Sequence, residues 1–186
     1  MTVDRRTFFL ALGGAWLAAP IAELRAAAAY AVRVARGEAD PSLSALTPAE
    51  AATIDALTAQ IIPTDATPGA REAGAVYFID RMLGSAHKSD LPLVRKGLAD
   101  LRKRVVRAHR GATAFESLTT DQQHAILVSL ETDKSDFFGL IREATIVAMF
   151  SSPDHGGNRE KAGWTLIGFD DRFVWTPPFG DYDRES

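Results

Sequence analysis

Three carboxylates, Asp65, Glu72 and Asp80, fall in one short stretch of this chain. Two carboxyl groups held close together can divide acid and base work, one giving up a proton as the other takes one. Each also has a structural use, and we take those uses as the reading. Asp65 lies in the turn-rich run Thr64-Asp65-Ala66-Thr67-Pro68-Gly69-Ala70. Glu72 falls where a helix begins and suits its positive end. Asp80 lies on that helix, within reach of pairing with an arginine such as Arg142. The histidines, His87, His109, His124 and His155, are scattered, and none forms the His-x-x-x-His or Glu-x-x-His spacing that seats a metal on a helix. The absence of cysteine excludes disulfides, a thiol nucleophile, Cys-ligated iron–sulfur clusters and covalent haem attachment. No glycine fingerprint follows a strand, and Ser151-Ser152 lacks a strand–turn–helix setting. No catalytic, cofactor-binding or metal-binding residue is therefore assigned, and the chain reads as a partner rather than an enzyme.

The charged pair with the clearest purpose is Arg5-Arg6, directly before the apolar run Phe8–Ala22 and the small-residue stretch Ala26-Ala27-Ala28-Ala29-Tyr30-Ala31. A basic start, a short apolar segment and a run of alanines describe an export signal. Paired arginines point to the twin-arginine route, which carries folded proteins, with the twin-arginine translocase as a partner and the periplasm as the destination. Residues 1–30 are assigned to this signal, with cleavage between Ala26 and Ala31, and residues 31–46 to a linker or arm without strong period. The run is interrupted by Gly13, Gly14 and Pro20 and is shorter than the roughly 20 residues of a spanning helix. An uncleaved anchor or a buried helix is the alternative. A folded-export signal on a chain with nothing to load implies that the cargo is a partner.

Of the 186 residues, 46% are hydrophobic and 24% charged, which suits one globular domain over residues 47–186. The formal net charge of −3 gives no reason to expect nucleic acid or an anionic membrane as partner.

Hydrophobic spacing predicts an all-α fold, a compact bundle of about five helices. Thr47-Pro48-Ala49-Glu50 is a capping box that opens the first, with Ile54, Leu57, Ile61 and Ile62 at helical spacing and Pro63 as its stop. A second runs from about Ala70 to Leu83, with Ala73, Val76, Tyr77, Asp80 and Leu83 on one face and Gly84 as a left-handed cap. The third and longest starts at Ser89 or Asp90, carries Leu93, Val94, Leu98, Leu101 and Val105, and ends at Gly111. Its other face bears Arg95, Lys96, Arg102, Lys103, Arg104 and Arg107, either a solvated face or a docking surface for an acidic partner. A fourth opens at Leu118-Thr119-Thr120-Asp121-Gln122 and buries Ala125, Ile126, Leu127 and Leu130. The fifth, Ser135 to Phe150, is apolar around more than half its girth and so belongs at the centre.

The remainder, residues 151–186, is a long irregular tail rich in glycine and aromatics. Gly156-Gly157-Asn158 suits a tight turn with positive φ. Gly163 before Trp164, and Gly168 before Phe169, allow close approach of the backbone to another surface. Two readings stand for the aromatics: they fold back on the fifth helix, or part of the loop lies in a partner interface, where Trp is enriched. The interface candidates are His155, Gly156, Gly157, Asn158, Trp164, Phe169 and Trp175.

Three stretches carry a resemblance. One is Ile61-Ile62-Pro63-Thr64-Asp65 with Pro68-Gly69-Ala70 and Glu72-Ala73-Gly74, running into Tyr77-Phe78-Ile79-Asp80. The second is Phe137-Phe138 with Ile141-Arg142 and Thr145, ending at Met149-Phe150. The third is His155-Gly156-Gly157-Asn158 followed by Gly163-Trp164 and Leu166-Ile167-Gly168-Phe169. Together with the arginine pair, they resemble the small third-subunit family of the membrane-associated gluconate 2-dehydrogenases. Small gamma subunits of other bacterial flavin-dependent sugar dehydrogenases are related. The resemblance implies a non-catalytic subunit that stabilises a large FAD-carrying dehydrogenase of sugars, sugar acids or alcohols and supplies its export signal. It also implies a multihaem cytochrome c as a third subunit of some complexes, and inner-membrane association through the complex. The alternative is a self-sufficient periplasmic helical protein with a small-molecule pocket under the C-terminal loop.

Overall fold

A computed structural model describes residues 20–35, 37–39, 41–150, 158 and 161–169. Arg5, Arg6, His155, Gly156, Gly157 and Trp175 lie outside the described residues, as does most of the expected tail. Among the described residues the chain is all-helical: α1 (Ile21–Ala35), α2 (Pro48–Ile61), α3 (Ala75–Gly84), α4 (Leu91–Ala108), α5 (Thr120–Thr132), α6 (Asp136–Phe150) and the short α7 (Ala162–Leu166), with single 3₁₀ turns at Lys88–Asp90 and Phe115–Ser117. The five expected helices are α2 to α6; α1 and α7 add to them.

Local chemistry sets the helix starts. Thr47 accepts the Glu50 amide while the Glu50 carboxylate takes the Thr47 amide at 2.8 Å, closing the expected box on α2. Thr119 and Gln122 do the same for α5. The start of α3 differs from expectation. Residues 70–74 form turns, and Gly74 adopts φ +72 to swing the chain into the helix at Ala75. Gly84 is the last helical residue rather than a left-handed cap; a Cβ there would meet the Ser44 hydroxyl at 2.7 Å. α4 ends at Ala108, before Gly111, whose φ is +93.

α6 runs through the middle of the bundle and touches α2, α3, α4, α5 and α7. Phe137, Ile141, Ala144, Val147 and Ala148 on α6 meet Ile54 and Leu57 of α2, Phe78, Ile79 and Met82 of α3, and Leu101 and Val105 of α4 in one core. The α4 stripe is narrower than expected, because Leu93 is exposed and Leu98 only partly buried. Gly97 takes the contact instead: a Cβ there would lie 2.1 Å from the Phe137 ring, so only glycine lets α4 and α6 cross this closely. Ala125, expected inside α5, is exposed, and Gln123 is buried in its place, donating to the Phe115 carbonyl and accepting from Gln60. On the cationic face of α4, Arg95 pairs with Glu50, Arg104 with Asp133 and Lys103 with Asp100.

Residues 31–35, expected in a linker, continue α1 along α3. The period there is carried by Leu24, Ala27 and Ala31, all buried. Two are alanines, which contribute little to an apolar pattern, so the helix is hard to distinguish from a small-residue linker.

Candidate functional site

The three carboxylates that opened the case for chemistry are placed in separate structural roles. Asp80 is fully buried and does not pair with Arg142. Its Oδ1 accepts the amides of Ala45 and Leu46 at 3.0 and 2.9 Å, and its Oδ2 accepts the Ser44 amide and hydroxyl at 2.7 and 2.8 Å. These bonds clamp the connector ahead of α2 onto α3. Glu72 precedes α3 rather than lying in its first turn. Its Oε2 accepts from the Thr64 hydroxyl at 2.6 Å and the Gly69 amide at 2.9 Å, cross-linking the loop between α2 and α3. The Thr64 hydrogen bond, more than any other influence, holds the Glu72 carboxyl below its ordinary value. Asp65 takes the amide and hydroxyl of Thr67 in the turn expected of it, and the Thr67 amide above all lowers its pKa. Within the same loop Gly69 is close-packed, since a Cβ there would meet the Ile62 carbonyl at 2.6 Å. His87 bonds Asp90 at 3.0 Å, and no metal-holding group of side chains occurs among the described residues.

The same loop leads to the end of the bundle where the C-terminal segment sits. Ala73 and Met149 form a small second core with Ile62 and Phe150, joining the α2–α3 loop to the last turn of α6. Onto that turn the chain returns at Asn158. Its amide donates to the Ala148 carbonyl at 2.7 Å, and the buried residue adopts φ +50, which Asn tolerates better than most. Asn158 Oδ1 then accepts the amides of Gly163 and Trp164 at 2.7 and 3.2 Å, fixing the start of α7. Gly163 is the close approach expected of it, for a Cβ would lie 2.2 Å from the Met149 carbonyl oxygen. Gly168, expected to be similar, has open space at its Cβ position and serves instead through its φ of +66.

Of the two readings of the aromatics, the fold-back on the last helix of the bundle holds for Trp164. Trp164 is half-buried, and its indole N–H donates to the Phe150 carbonyl at 3.1 Å, so it folds back on α6. Phe169 packs edge-on against Trp164, with ring centroids 5.0 Å apart, yet remains 45% exposed. Leu166 and Ile167, between them, are 41% and 62% exposed. Large apolar side chains are thus displayed at the end of a short helix and just beyond it, on a base pinned by hydrogen bonds and close packing. All three stretches that carry the resemblance meet here: the α2–α3 loop, the end of α6 and the α7 segment. The roles of Ile62, Ala73 and Met149 in joining them were not separable from ordinary core in the sequence.

A family model matches residues 48–171, more than half of the chain, and its description is gluconate 2-dehydrogenase subunit 3. The chain belongs to the gluconate 2-dehydrogenase subunit 3 family. The family match covers α2 through α7 and so takes in every described element of the pinned end. α1 and the connector clamped by Asp80 lie ahead of it. No curated protein and no solved structure matches the chain. The family name describes a subunit of a multi-subunit dehydrogenase, and the accessory role read from the sequence accords with it.

Proposed function

We propose that this subunit 3 protein is the non-catalytic small subunit of an exported, FAD-dependent dehydrogenase of sugars, sugar acids or alcohols. It stabilises the flavoprotein large subunit and supplies the twin-arginine signal for both. The observation that carries the reading is the display of Leu166, Ile167 and Phe169 on a base pinned by Asn158 and Gly163. Exposed apolar side chains grouped on a rigid support mark a protein interaction site, and aromatic anchors dominate such interfaces. The partner is the flavin-carrying large subunit, with a multihaem cytochrome c as a third member of the complex.

The layout of the chain supports this division of labour. α1 runs antiparallel to α3, with Ala31 beside Gly74 and Glu23 facing Gly84 and Ser85. The chain therefore enters α1 at the end of α3 remote from Ala73, Met149 and Trp164. Cargo held at the α7 end would sit at the far end of the bundle from Ile21, the first residue of α1.

The test is Arg5→Lys with Arg6→Lys, assayed by fractionation. The large subunit should fold, bind its flavin and stay in the cytoplasm with the small subunit attached. Normal periplasmic dehydrogenase activity from the double variant would sink the escort role.

A further inference from the structure

Asp80 and Arg81 are neighbours on α3: Asp80 holds the segment that joins α1 to α2, and Arg81 holds α1 itself. Asp80 takes the amides of residues 44–46. The Arg81 guanidinium stacks 3.5 Å from the centre of the Tyr30 ring, and the Tyr30 hydroxyl bonds Ser42, which closes the segment on itself. Along the buried face of α1, Leu24, Ala27 and Ala31 are 5%, 2% and 1% exposed. Ala31 reaches to within 3.9 Å of the Cβ position of Gly74, an approach that small residues on both helices allow.

The alanine run that sequence reading offers for cleavage, Ala26 to Ala31, therefore lies inside a folded helix with one face in the core. A protease needs its substrate opened locally, and the rate of cutting follows the population of the opened form. We propose that Ile21–Ala35 is a permanent element of the folded chain and that its peptide bonds from Ala26 to Ala31 are closed to processing. The export leader, in consequence, stays attached to the domain. The clause about the leader rests on the export reading of Arg5 and Arg6; the clause about the helix does not.

Three readouts on the full chain, co-expressed with its neighbouring genes, test this. The first is digestion with a protease that cuts after small residues, with the fragments weighed. Cutting between Ala26 and Ala31 should be at least about tenfold slower in the native chain than in Ala31→Asp, which places a charge against α3. Equal rates would overturn the proposal. The second needs no variant: amide exchange over residues 24–31 should be slowed at least about a hundredfold relative to an unstructured peptide. Exchange at the peptide rate would overturn it. The third is the intact mass of exported chain, expected to retain the leader; an N-terminus within 27–31 would overturn it. Slow cutting and slow exchange in a chain found only in the cytoplasm support the docked helix and contradict the export reading, so the two fail separately.

Discussion

The side-chain oxygen of Asn158 accepts the backbone N–H of Gly163 at 2.7 Å, and this bond fixes the apolar display on the end of α6. Asn158→Ala should leave the amides of Gly163 and Trp164 without their acceptor, at about 1–3 kcal/mol. It also places a Cβ-bearing residue without a local polar side chain at positive φ, adding about 1 kcal/mol. Asn158→Gly should carry the first cost without the second. Amide exchange over residues 161–169 should accelerate in both variants, with the unfolding midpoint of α2 to α6 changing less. A midpoint that falls as far as local exchange rises would mean that the segment is an inseparable part of the core.

Gly97 should not tolerate a methyl group. Gly97→Ala gains helix propensity, worth about 1 kcal/mol, but its Cβ would sit 2.1 Å from the Phe137 ring. Overpacking costs about 1–3 kcal/mol, so thermal or denaturant unfolding should show a net loss. A gain in stability would contradict the close crossing of α4 and α6.

Asp80→Asn keeps the shape of the clamp but puts an amide donor where Ser44, Ala45 and Leu46 already donate. With charge-assisted bonds removed and a donor left facing donors, the loss should be about 3 kcal/mol in chemical denaturation. Ser44→Ala, which removes one hydroxyl and leaves the three amide bonds, should cost about 1 kcal/mol. Equal losses from the two would mean that the carboxylate is not the centre of the clamp.

The Glu72 bridge sets a pH dependence. Its carboxyl is depressed below 4.5 in the folded chain, first by the Thr64 hydroxyl. A depressed carboxyl contributes stability that is present above its unfolded value and lost as pH falls through the folded one. Asp65, depressed below 3.8 by Thr67, adds in the same direction at lower pH. The unfolding midpoint of the native chain should therefore fall as pH is lowered from above 4.5, and Glu72→Gln should flatten the upper part of that fall. Identical pH profiles for the two would contradict the role of the bridge.

How far each element was legible in the sequence follows from what carries its signal. The starts of α2 and α5 were readable because a capping box is local, and the centrality of α6 because apolar residues encircle it. α1 was hidden because its buried face is largely alanine, and alanine runs equally describe a linker or a cleavage site. The start of α3 was misplaced because Glu72 suits a first helical turn as well as it suits the loop bridge it makes. Gly97 left no sign, since a mid-helix glycine shows its purpose only when Phe137 is seen opposite. At the α7 end, the close approach at Gly163 and the turn at Asn158 were legible. That Ile62, Ala73 and Met149 would join three distant stretches was not, because each reads as ordinary core.

The central claim is that this chain is held by a flavin-carrying large subunit. Its most direct test is to tag the chain at its C-terminus, express it with its neighbouring genes and take the visible absorption spectrum of what elutes. The account predicts a flavin spectrum with a second, larger polypeptide, and haem bands where a cytochrome subunit is present. A colourless monomer would contradict it.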